Sequence, residues 1–108
     1  VSADELSRLV DLLTRQVGHW QAPRWAAPVP GGGDTSRAEL VHRLVQRVAD
    51  LAADAEGQPR RPVPRADNAL ALPDQLRVVA ADLLAADPAP ELLAAAVAEV
   101  AATRAALS

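Results

Sequence analysis

The chain has no cysteine, lysine, isoleucine, methionine, phenylalanine or tyrosine. Without cysteine there is no disulfide framework, no thiolate nucleophile and no thiolate-ligated zinc or iron–sulfur site. Two tryptophans are the only aromatic residues, too few for a base-stacking platform. All 11 basic residues are arginine, set against 14 acidic ones, and the net charge is −3. No global basic field exists to hold a phosphate backbone, so no nucleic-acid partner is expected. Long apolar runs are also missing. The longest uncharged run near the C-terminus, Leu92–Ala98, stops at Glu99, well short of the roughly 18 residues that span a bilayer. Asp4, Glu5 and Asp11 interrupt the first 17 residues, where a signal peptide needs a basic start and an unbroken apolar stretch. These absences lead to the expectation of a cytoplasmic chain with no membrane partner. Val1 opens the sequence, as processing, excision from a longer chain or a non-standard start codon would each produce.

What is present is 25 Ala, 15 Leu and 12 Val. Coding from a GC-rich bacterial genome produces this bias without any functional cause. The 108 residues suit one domain, and their patterning is helical. Ser2-Ala-Asp-Glu5 is a capping box, in which serine accepts from a backbone N–H three residues on. Leu6, Leu9, Val10, Leu13 and Val17 then repeat at helical spacing, with Asp4, Ser7, Arg8, Asp11, Thr14 and Arg15 on the other side. Gly18 stops this helix, giving a span of about 3–17. A second capping box, Ser36-Arg-Ala-Glu39, opens a helix over about 37–56 that Gly57 ends. Its core face carries Leu40, Val41, Leu44, Val45, Val48, Leu51, Ala52 and Ala55. On its polar face, Glu39–Arg43 and Arg47–Asp50 are expected to pair. Pro73 suits the first turn of a third helix, about 73–86, with Leu72, Leu76, Val79, Ala80, Leu83 and Leu84 inward. Asp87-Pro-Ala-Pro90 breaks it, and a fourth helix follows over about 89–107. No alternating strand pattern competes. The expected fold is all-α: a single domain over 1–108, a small four-helix bundle. A long Trp/Pro/Gly-rich loop joins its first two helices, and residues 18–36 and 57–72 are irregular apart from one short turn within 66–72.

The fourth helix is apolar nearly all round. Leu92, Leu93, Ala96, Val97, Val100 and Leu107 make one face, and Ala94, Ala95, Ala98, Ala102, Ala105 and Ala106 the other. A helix of this kind is usually covered on both sides. Small residues every four positions let a second helix approach closely. The expectation is therefore a close contact through Ala94, Ala98, Ala102 and Ala105, within a homodimer or with a protein partner. Val78 lies opposite the core stripe of the third helix and hints at a second contact surface.

The remaining constellations offer little chemistry. Glu39-Leu-Val-His42 is one Glu-x-x-His motif where a di-iron bundle needs two, and it sits on a polar face. His19, the only other histidine, has Gln16 three places before it. No cofactor or metal site is expected. The glycine run at 31–33 has no Gly-Lys-Ser/Thr ending and reads as a linker. The four serines lie at caps, on a helix surface or at the terminus, with no catalytic triad pattern. Arg60-Arg61-Pro-Val-Pro-Arg65 reads as a solvated linker, with a role at phosphates or acidic partners, or as a proline-rich ligand segment, as the alternatives. His19-Trp20 with Arg24-Trp25 is the densest polar–aromatic cluster. It suits a partner anchor, since Trp and Arg are common at binding hot spots, or two rings folded onto the core. The function expected is a non-enzymatic interaction module that self-associates or docks a protein through the fourth helix, with Trp20, Arg24 and Trp25 as anchors. The alternative is a small-ligand sensor or carrier with a pocket at the 18–35 loop.

Overall fold

A computed structural model describes residues 1–107. Helix α1 runs over Ala3–Val17, with Ser2 Oγ accepting from Glu5 N–H at 3.1 Å. The short α2 covers Ala22–Ala26, and α3 covers Arg37–Glu56, capped by Ser36 Oγ on Glu39 N–H at 3.0 Å. A 3-10 turn at Ala69–Ala71 leads into α4 (Leu72–Ala85), and α5 covers Pro90–Ala106. The protein is all-α, with no strand among the described residues beyond one isolated bridge between Pro28 and Ser36. Both capping boxes set the starts of α1 and α3 where the serine–glutamate spacing puts them. Gly57 ends α3 at φ 68, a left-handed position that costs an L side chain roughly 1–2 kcal/mol. Asp87 takes φ 51 in the turn between α4 and α5; short polar side chains tolerate that region best.

The helices fold onto one apolar cluster. Its largest fully buried members are Trp25, Leu6, Leu13, Leu44, Leu76, Leu83 and Leu107. Helix α3 packs on α4 and α5, and α1 packs on the same two from the other side. The radius of gyration is 13.3 Å, about what a compact chain of this length gives. The inward faces are those that the apolar spacing marks, with one correction. Thr14 is buried, not on the solvent side of α1. At 100° per residue it lies about 80° from Leu6, at the edge of the stripe, where α4 covers it. Its hydroxyl donates to Asp11 O at 3.0 Å and accepts from Arg77 Nη2 at 3.0 Å.

Residues 18–36 are also more regular than expected. Proline in the first turn is compatible with a helix, and α2 begins that way at Ala22-Pro23. The following loop closes on itself. Val29 N–H donates to Thr35 O at 2.8 Å, Gly32 N–H to Val29 O at 2.9 Å, and Arg37 N–H to Ala27 O at 3.0 Å. Gly31 and Gly33, at φ 72 and 64, supply the turn that this closure needs.

Leu76→Ala, at a fully buried position of α4, is expected to destabilise the fold by roughly 2–5 kcal/mol. Val78→Ser, two residues on but 60 % exposed, should stay within about 0.5 kcal/mol. Urea unfolding followed by circular dichroism measures both.

Candidate functional site

The chain's two tryptophans are brought together in the core. Gly18 ends α1, Trp20 N–H donates to Val17 O at 3.0 Å, and α2 then turns Trp25 inward. The rings meet edge to face, with centroids 5.1 Å apart and planes at 68°, a favoured aromatic geometry. Trp20 is 3 % exposed and Trp25 1 %. Arg24 and Arg37 lie over the Trp20 ring at 4.6 and 5.8 Å from its centroid. Arg37 Nη1 also donates to Pro28 O at 3.0 Å, tying α3 to the loop. Of Trp20, Arg24 and Trp25, only Arg24 is exposed. The rings fill the space that the 18–35 loop closes over, and they complete a core otherwise made of Leu, Val and Ala. Trp25 Nε1 is buried with no hydrogen-bond partner among the described residues.

The outer face of α5 is uncovered within one chain. Ala98, Ala101, Ala102, Ala105 and Ala106 are exposed, and Ala94 and Ala95 are half-buried. No charged side chain lies between Ala94 and Ala98, and exposed Glu91 stands in line with Ala98 at the start of the face. Glu99 and Arg104 flank it. Two grooves border the ridge. One, of about 410 Å³ between α3 and α5, is lined by Leu40, Leu44 and Thr103, with Arg43, Arg47 and Glu99 at its rim. The other, of about 280 Å³ between α1 and α5, is lined by Leu9, Gln16, Ala101, Arg104 and Ala105. Arg47 does not pair with Asp50 as its spacing suggests. It reaches across to Glu99 at 3.4 Å, while Asp50 accepts from Gln46 Nε2 at 2.9 Å. Val78 stands exposed on α4, which packs on α3 and α1 and not chiefly on α5.

The segment after Gly57 is docked, not free. It runs back along α3, antiparallel to it. Arg60 Nε and Nη2 donate to Asp54 Oδ1 and Oδ2 at 3.0 and 2.7 Å. Arg65 Nη1 and Nη2 donate to Glu39 Oε2 and Oε1 at 2.7 and 3.1 Å. Between them the Gln46 amide accepts from Val63 N–H at 2.8 Å and donates to Arg61 O at 3.0 Å. Gln75 Nε2, from α4, donates to Pro64 O at 3.1 Å. Hydrogen bonds from Arg65 hold the Glu39 carboxyl below its ordinary pKa, and those from Arg60 do the same for Asp54. Glu39 is thus engaged by Arg65 and, at 3.6 Å, by Arg43. No group of three His, Asp or Glu suited to a metal ion forms among the described residues. No described helix is long and apolar enough to cross a membrane.

Trp25→Ala is expected to cost roughly 3–5 kcal/mol. Trp25→Phe should cost far less, because it also removes the orphaned buried N–H. Denaturant midpoints separate the two. The carboxylate pairs of the docked segment carry a pH dependence of known sign. Their contribution is present above the unfolded carboxylate range of about 4 and is lost as pH falls through the depressed folded values. The urea midpoint of Glu39→Gln should therefore lie below wild type at pH 7 and approach it at pH 3. Comparison with protein-family models, with curated proteins and with solved structures finds no match to this chain.

Proposed function

We propose that this chain is a non-enzymatic interaction module: a four-helix bundle that docks a second copy of itself through the outer face of α5. The observation that carries the reading is the exposure of Ala98, Ala101, Ala102, Ala105 and Ala106 on a helix with apolar residues all round. Methyl groups have no bond to offer water, and their small size lets two helix axes approach to about 8 Å, the close end of the usual range.

An antiparallel pairing suits the charges. Glu91 lies in the first turn of α5 and Arg104 in the last, and neither forms an ion pair with another described residue. A twofold axis between residues 97 and 98 sets the Glu91 level of each helix beside the partner's Arg104 level. It also sets helix dipoles head to tail. A row of methyl groups is small beside the roughly 800 Å² per partner of a standard interface. The contact therefore extends over the Leu40–Leu44–Thr103 groove beside it. The module acts in the cytoplasm, where a chain without cysteine forgoes nothing, since disulfides are rare there.

Sedimentation velocity at tens of micromolar tests this. The expected mass is twice the 11.3 kDa of one chain, and Ala98→Arg should weaken the dimer at least tenfold with the helical signal retained. A monomer at that concentration, unchanged by Ala98→Arg, removes the self-docking reading.

A further inference from the structure

The docked segment 58–65 marks a second surface, on α3, which meets the groove beside α5 at Gln46. Glu39 and Gln46, seven residues apart, stand within about 20° of one line, and Asp54, eight residues further on, is offset from Gln46 by about 80°, so the three follow a slanted row. Gln46 lies about 160° around the helix from Val48, so the row is on the back of the core stripe.

What occupies this row is bound as a peptide ligand would be. Pro59, Pro62 and Pro64 hold the segment extended and leave fewer backbone donors to satisfy. The Gln46 amide pairs with Arg61 O and Val63 N–H, the carbonyl and amide that bracket Pro62. That contact reads an extended backbone and is indifferent to side chains. The two ends are read by charge, since each arginine makes a two-bonded fork with one carboxylate, the geometry that favours Arg over Lys. Val63 adds an aliphatic contact against the core.

We propose that the Glu39–Gln46–Asp54 face of α3 is a recognition groove for an extended basic segment of a partner protein. Its pattern is Arg-x-Pro-aliphatic-Pro-Arg, and the chain's own residues 58–65 occupy the groove as a tethered stand-in. The tether gives the internal strap an effective concentration of about the millimolar range. An external segment therefore binds only when it outcompetes the strap or when the strap is released. Both forks are solvent-exposed, so release breaks exposed ion pairs and withdraws Val63 from the edge of the core.

Fluorescence anisotropy of a labelled peptide corresponding to Gln58–Arg65 tests the groove on the full chain. The double variant Arg60→Glu/Arg65→Glu repels its own strap from Asp54 and Glu39. It is expected to bind the peptide at least tenfold more tightly than wild type does. Adding Gln46→Ala should reverse that gain. A peptide of the same composition in permuted order controls for attraction of arginine to an acidic protein, and should bind at least tenfold more weakly. The proposal is overturned if the released variant, with its helical signal intact, gains no affinity. It is equally overturned if Gln46→Ala leaves the gain in place or the permuted peptide binds as well. Should charge reversal reduce the helical signal, Arg60→Ser/Arg65→Ser removes the same forks without adding repulsion and carries the same outcomes.

Discussion

The fold depends on how α3 is buried. Val41, Leu44, Val45, Val48, Leu51 and Ala52 form one continuous inward stripe on its 20 residues. Helices α4 and α5 pack against that stripe, and α2 reaches its N-terminal part. Each fully buried Leu or Val contributes roughly 1.5–3 kcal/mol, so no other helix supplies as much. The back of α3 is then covered by residues 58–65. The side of α3 that carries Arg43 and Arg47 stays open to solvent.

The two kinds of cover follow from the side chains beneath them. The back of α3 offers Glu39, Gln46 and Asp54, directional groups that hold an irregular segment by paired hydrogen bonds. An irregular segment has its own backbone donors and acceptors to satisfy, and this face meets that need. The outer face of α5 offers mainly methyl groups, with Glu91 at its start. A strap laid there would leave its backbone unpaired, so only a surface with internally satisfied hydrogen bonds, such as another helix, fits it.

The sequence shows the helices of this protein more clearly than it shows what joins them. The limits of α1 and α3 are legible because a capping serine, a glutamate three residues on and a terminal glycine are all local signals. Helices α4 and α5 lack a side-chain cap, and their expected ends fall one residue away from those observed. Helix α2 escapes notice because Pro23 reads as a breaker. Its five residues are too few for a periodic pattern, and burial of Trp25 supports them. The burial of Thr14 depends on where α4 passes, which α1 alone does not reveal. The alanine face of α5 is legible as a composition, and its exposure within one chain is visible only in three dimensions.

Residues 58–65 show the limit most sharply. Arginine and proline in a short run resemble a solvated linker because each property that docks the segment is held by a residue elsewhere. Glu39 lies 26 positions before Arg65, and Gln46 17 before Val63. Read alone, the polar face of α3 looks like an ordinary solvated surface with its own i,i+4 pairs. The seven- and eight-residue spacing of Glu39, Gln46 and Asp54 acquires meaning only beside an extended chain whose charges recur in the opposite order. Antiparallel return after the left-handed turn at Gly57 supplies that order, setting Arg60 against Asp54 and Arg65 against Glu39. A parallel strap would present its first arginine to Glu39 and would have to travel the length of α3 before reaching it. The turn at Gly57 thus determines which end of the groove each arginine meets.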